Sequence, residues 1–332
     1  MNLVPKPLFL RKISSPRILL SPRLIQIKQT ERKRAAVNSI SKEDRSIIQK
    51  STVLWFGWSI IYNIYNKQAL SSIQNTPLVT ASQVGISMLL AYIHWNKNSH
   101  LPISILESRI PIAHFILPFC MVGGGQWLGN HFGNMATDAM NYSMVNIIKS
   151  SEPIMSMGIM YLLYQQIPNL QKLWYIFPIM FGIVLCNISD LTYTHYGLLL
   201  CMASNFFHIL KVIACKEFFV KKLQLASSDL FALSTVGSFA ISIPVLYNFA
   251  SYFVSLSFES LFYLLISGAG YYYNSVAAFE VISRVTPVVF SVLNIYKRVF
   301  IVASYYFLAF QIPPFMTFLG FLISNIGIYL YL

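Results

Sequence analysis

Hydrophobic residues in this chain come in long blocks rather than in stripes. Beyond residue 50 the runs without any Asp, Glu, Lys or Arg are 68–96, 110–137, 153–171, 173–189, 191–210, 230–258, 260–279 and 299–332. A helix needs about 20 apolar residues to cross a bilayer, and these runs meet or approach that length. Dividing them at Pro, Asn and charged breaks predicts ten spans, near 52–72, 77–96, 110–131, 138–163, 173–191, 195–217, 229–249, 258–280, 287–309 and 314–332. Polar stripes at helical spacing, which a soluble helical protein needs, are missing. The expected fold is therefore all-α: a polytopic membrane protein of ten transmembrane helices.

The pattern also repeats. Asn146-Ile147-Ile148-Lys149 is followed by Gln166-Ile167-Pro168, and Asn294-Ile295-Tyr296-Lys297 by Gln311-Ile312-Pro313; the lysines are 148 positions apart and the triplets 145 apart. Two related halves, 51–191 and 192–332, follow a basic tail at 1–50. Five spans per half is an odd number, so the second half enters the membrane inverted, as in many secondary transporters with a site between halves.

Composition agrees, with 56% hydrophobic and 11% charged residues against a usual charged share of about 25%. The net charge of +13 would suggest nucleic acid, but twelve of the 24 bases lie in residues 1–50. That tail resembles an organelle-targeting segment more than a secretory signal, because it has no adequate apolar core; a basic tail on anionic lipid is the alternative. Lys97, Arg109, Lys172, Lys216, Lys221, Lys222 and Arg284 share its side of the predicted topology, whereas Asp138, Asp190 and Glu259 fall opposite with Lys67. This is a positive-inside pattern. Cys120, Cys186, Cys201 and Cys215 lack metal-ligand spacing and read as packing residues. No cofactor is expected.

Lys149, Lys211, Lys297 and Arg298 fall within hydrophobic segments, and the acid clearly among them is Glu152, on the same helix face as Lys149. Such residues at membrane depth are costly and mark substrate pathways. A Lys149–Glu152 pair is the plainest alternative, yet it leaves three cations without a counterion. An anion must visit them. Phosphate suits, with three acceptor oxygens for a guanidinium fork and point-charge lysines. A cationic site that closes only when loaded implies exchange rather than uniport. Gly123-Gly124-Gly125 follows no strand and reads as close helix packing. His131 and His208 read as polar wall residues, with proton carriage as the alternative; Asn130 and Asn134, one turn apart, suit either a polar wall or interhelical bonding.

At these residues the chain resembles the plastid phosphate translocators of the drug/metabolite transporter superfamily. The similarity lies in Gly129-Asn130-His131-Phe132-Gly133-Asn134-Met135, Ser143 to Pro153, Arg284-Val285-Thr286-Pro287, and Ser291 to Val299 with its Lys297-Arg298 pair. It covers roughly residues 52–332. It implies an antiporter, not an enzyme, that exchanges inorganic phosphate for phosphorylated C3 compounds across a plastid-type membrane. The implied substrate ligands are Lys149, Lys297 and Arg298, with Lys211 at a position that is arginine in the family and His208 beside it. A span 8 tyrosine of the family falls on Asn274 or, with a one-residue shift, on Tyr273. Asn130, together with Asn134, matches the phosphoenolpyruvate branch, so phosphoenolpyruvate is the favoured substrate beside triose phosphates and 3-phosphoglycerate. A nucleotide-sugar carrier of the same superfamily is the alternative, and it gives no reason for the Lys297-Arg298 pair.

Overall fold

The computed structural model describes residues 42–98, 112–165, 170–187, 193–221, 223, 225, 227–308 and 310–331. Residues 1–41 of the basic tail, Arg109, the first Gln-Ile-Pro triplet (166–168), Asp190 and Lys222 lie outside them. The chain divides into two units, Met1–Ser46 and Ile47–Leu332. The first unit contributes only the start of a helix to the described residues; the others belong to the second.

The described residues are helical throughout, without strands: α1 (Lys42–Ile73), α2 (Thr76–Asn98), α3 (Ile112–Ala139), α4 (Tyr142–Lys149), α5 (Glu152–Tyr164), α6 (Leu170–Cys186), α7 (His195–Ile213), α8 (Ser227–Asn248), α9 (Phe258–Arg284), α10 (Pro287–Leu308) and α11 (Phe315–Tyr331). A π-helical stretch, Ala214–Val220, extends α7. Local chemistry sets several starts. Asn75 Oδ1 accepts from the Leu78 amide before α2, Thr194 Oγ1 from Gly197 before α7, and Ser257 Oγ from Ser260 before α9. Each side chain satisfies an amide that has no partner inside its helix. Thr286 does the same for Val289, and Pro287 opens α10, where its missing N–H costs nothing.

Four helical stretches among the described residues are long and apolar enough to cross a membrane: Thr76–Asn96, His195–Val220, Ser227–Asn248 and Pro287–Leu308. The burial pattern is inside-out relative to a soluble protein. Leu54, Tyr92, Leu162, Trp174, Leu199, Tyr247 and Phe307 are exposed, while Ser59, Gln83, Asn146, Glu152, Ser204 and Asn205 are buried. A belt of this extent marks a non-aqueous surround, and the buried polar groups serve the interior.

Small residues allow the helices to approach. A Cβ on Gly123 would come within 2.6 Å of the Gly237 Cα, so α3 and α8 touch backbone to backbone. A Cβ on Gly182 would meet the Gly320 carbonyl at 2.6 Å, which does the same for α6 and α11. This is how helices associate where hydrophobicity offers no driving force between them. The closest packed pairs are α3 with α7 and α6 with α11; α2 lies on α9 as α8 lies on α3.

The largest departure from the predicted spans is at 138–163. Helix α3 runs on to Ala139, and the remainder is two helices interrupted at Ser150–Ser151. Pro153 explains the break. It has no N–H to give the Lys149 carbonyl, so the i to i−4 ladder fails there. Ser150 and Ser151 instead turn their hydroxyls onto the Ile147 and Ile148 carbonyls, at 2.6 and 2.8 Å. Lys149 therefore ends one helix and Glu152 begins the next.

Candidate functional site

The α4–α5 break abuts a cavity of about 140 Å³. A single water needs roughly 10–15 Å³ of such a cavity, so the space fits a small anion with part of its hydration shell. Lys149, Lys211, Lys297 and Arg298 all line it, from α4, α7 and α10. The same polar chamber receives Asn130 and Asn134 from α3, His208 from α7 and Asn274 from α9.

Each cation is held by something other than an acid. Lys297 Nζ sits 4.5 Å from the centre of the Trp55 ring, which is buried and itself stacks on Phe290 at 4.8 Å. Cation–π attraction of this kind strengthens when water is excluded. Lys211 Nζ donates to Gln126 Oε1 at 2.7 Å and lies 5.5 Å from the Phe279 ring centre. Arg298 donates to Asn146 Oδ1 at 3.1 Å, while its buried Nε has no partner. The Lys149 amine rests against Gly133, where a Cβ would approach it to 2.6 Å. Among the described residues none of the four pairs with a carboxylate; the ion pairs are Lys221–Glu217 and Arg284–Glu280, both within one helix. The expected alternative of a Lys149–Glu152 pair is not formed. Glu152 instead accepts from Asn294 Nδ2 at 2.6 Å.

Neutral polar groups complete the walls. Tyr271 Oη accepts from Gln126 and from Asn130, the latter at 2.9 Å, joining α3 to α9. Asn134 both lines the cavity and bonds between helices: it receives Asn66 Nδ2 at 3.1 Å and donates to Thr80 Oγ1 at 2.9 Å. Both uses weighed for it are present together. The His208 ring packs against Gly129, within 3.0 Å of where a Cβ would stand. His131 lies off the cavity, stacked on Trp127 at 4.8 Å.

The α9 position left open between two residues separates clearly in space. Asn274 lines the cavity and accepts from Ser59. Tyr273 does not line it: it is exposed and stacks on Trp58 at 4.5 Å. The reason is helical geometry, since adjacent residues are about 100° apart around the axis. Tyr271 faces inward with Asn274 because three positions nearly complete a turn. Sequence reasoning passed over Gln126, although the spacing Gln126, Asn130, Asn134 was a visible signal, with every fourth residue polar on one helix face. It also passed over Asn63 and Tyr142. No periodic signal marks that pair, whose contact joins residues 79 apart in the chain.

The two ends of the cavity differ. At one end Trp55, Phe279 and Phe290 belong to the largest hydrophobic core, with Phe219, Leu230 and Ile282 behind them. At the other a vestibule of about 780 Å³ begins. Asn63, Asn66, Thr137, Tyr142 and Ile301 line both spaces, and Lys67 faces the vestibule. Among these shared residues Tyr142 Oη donates to Asn63 Oδ1 at 2.7 Å.

Residues 48–332 match the sequence profile of the Triose-phosphate Transporter family. A triose phosphate/phosphate translocator of non-green plastids, chloroplastic, from Brassica oleracea var. botrytis is 27% identical over 289 residues, covering 84% of this chain and 70% of its own length. The phosphoenolpyruvate/phosphate translocator 3, chloroplastic, of Oryza sativa subsp. japonica is 28% identical over 294 residues, covering 84% and 72%. These relatives are translocators, not enzymes. One solved crystal structure superposes with a TM-score of 0.64 over 88% of this chain and 96% of its own, at 12% identity; that likeness concerns the fold alone.

Proposed function

The chain belongs to the Triose-phosphate Transporter family, and from that premise we propose that it is a secondary antiporter exchanging inorganic phosphate for phosphorylated C3 compounds. The observation that carries this reading is the convergence of four cationic side chains from three helices on one small cavity, without an acid paired to any of them. Leaving cations unpaired in such a place costs several kcal/mol each. A bound phosphate offsets that cost, and its absence leaves the charges to repel one another.

In this mechanism Arg298 grips phosphoryl oxygens with its planar fork, Lys149 and Lys297 act as point charges, and Lys211 with Gln126 takes the far end of the substrate. Asn130, Asn134, His208, Asn274 and Tyr271 give the organic part its polar wall. Phosphoenolpyruvate, triose phosphates and 3-phosphoglycerate are the substrates the reading favours. The names of the relatives support that class and a plastid-type membrane. A cavity of about 140 Å³ also suits a phosphorylated C3 acid better than a nucleotide sugar.

Alternating access follows from the two ends of the cavity. The conformation described has packed aromatic side chains at one end of the cavity and the Tyr142–Asn63 contact towards the vestibule. Rocking of the halves 51–191 and 192–332 would open one end while closing the other. Ten crossings in two inverted repeats are the topology we assign, with α4 and α5 sharing one crossing. The reciprocal packing of α2 on α9 and α8 on α3 supports that symmetry.

The test is uptake of labelled phosphate into proteoliposomes preloaded with phosphoenolpyruvate, triose phosphate, glucose 6-phosphate or buffer. Uptake that requires an internal C3 phosphate, and that Lys297→Ala abolishes, is the expected result. Equal uptake into vesicles holding buffer alone would overturn obligatory exchange.

A further inference from the structure

Glu152 is the acidic residue among those lining the cavity, and its situation is unusual. It is 1% exposed and shares the chamber with four cations, yet pairs with none. Its Oε2 is held by Asn294 at 2.6 Å, and its Oε1 has no partner. Two donors of the Arg298–Asn146 pair are also orphaned and buried: Arg298 Nε and Asn146 Nδ2. Such orphans each carry a desolvation cost, so the arrangement is kept against an obvious way of relieving it. Two features keep the carboxylate where it is. Glu152 opens α5, where the helix N-terminus favours negative charge. Asn294 reaches across from α10 to fix one oxygen.

The asparagines of the two repeats are therefore used reciprocally. Asn146 accepts from Arg298 of the second half, and Asn294 donates to Glu152 of the first. We propose that Glu152 is a built-in counter-charge that weakens anion binding without occupying the cations' donors, and that Asn294 is the positioning residue that holds it off them. An exchanger must release what it binds on both faces. Four cations acting unopposed would hold a phosphate dianion too well; one fixed carboxylate lowers the attraction without itself engaging any of their N–H groups. This rests on the reading of the cavity as the phosphate site.

The experiment is initial-rate phosphate exchange in proteoliposomes at varied external phosphate, with detergent-phase thermal unfolding as the check on folding. Glu152→Gln keeps the shape and removes the charge. The expected result is a KM for phosphate lowered roughly three- to tenfold, with a lower maximal rate because release slows. Asn294→Leu frees the carboxylate to compete for Arg298, so KM rises. In a Glu152→Gln background the same leucine leaves KM unmoved, which a merely structural asparagine would not do. Glu152→Asp keeps the charge but withdraws it from Asn294, and should raise KM as Asn294→Leu does; it serves also if the glutamine variant does not fold.

An unchanged or raised KM in folded Glu152→Gln overturns the proposal, as does a lowered KM in Glu152→Asp or the same leucine effect in both backgrounds. Lys297→Ala separates the two levels. If that variant exchanges phosphate normally, the site reading itself has failed. If it is inactive while Glu152→Gln keeps the native KM, only the counter-charge has failed.

Discussion

The two copies of the Asn-Ile-x-Lys phrase diverge immediately after the lysine, and that divergence makes one site out of two repeats. After Lys149 come two serines, Glu152 and Pro153, which end the helix and place a carboxylate at the start of the next. After Lys297 comes Arg298, within an unbroken α10. The first copy contributes a broken backbone and a negative charge, the second a continuous helix and a guanidinium. The two phrases carry matching asparagines, and their partners are opposite in charge.

Removing either lysine tests whether both copies serve the same anion, and carries the largest expected effect. Lys149→Ala and Lys297→Ala should each lower phosphate exchange by roughly a hundredfold or more, because the bound anion loses a counter-charge worth several kcal/mol. A large loss for one alone, measured in the same proteoliposomes at equal protein, would mean that only one copy meets the substrate.

Arg298→Lys sharpens the comparison by making the second copy a plain double lysine. Total charge is unchanged, but the fork and its bond to Asn146 Oδ1 are lost. KM for phosphate should rise about tenfold, the scale of one charge-assisted bond, and a shift confined to the maximal rate would count against a direct grip on phosphate.

Pro153→Ala makes the first copy resemble the second by restoring the N–H that the Lys149 carbonyl lacks. Thermal unfolding in detergent should then move upward by about 2 °C or more, since the i to i−4 ladder could run on from α4 into α5. Exchange should fall about tenfold as Lys149 leaves its position against Gly133, site groups being sensitive to sub-ångström displacement. Stability and transport dropping together would instead assign the proline an ordinary packing role.

Much was legible from the chain alone, and for definite reasons. Helices that face lipid must satisfy their own backbone and show apolar side chains outward, so the length of uncharged runs located most of them. Four bases in an apolar sequence pointed to one polar cavity, which all four line, because a bilayer interior tolerates them only with a purpose. The repeat of Asn146–Lys149 in Asn294–Lys297 located the site's two contributors without any coordinates.

Tertiary structure decided the rest, because it depends on which face of each helix meets which neighbour. Periodicity could not choose between Tyr273 and Asn274, one residue apart; rotation of α9 against Trp58 and Ser59 turned one outward and the other into the cavity. Sequence proximity placed Glu152 beside Lys149, yet Pro153 broke the helix between them and Asn294, 142 residues away, took the carboxylate. The chain's local chemistry fixed which groups are buried and charged. Only the packing of distant helices set which of them are paired, and therefore which remain without an acidic partner.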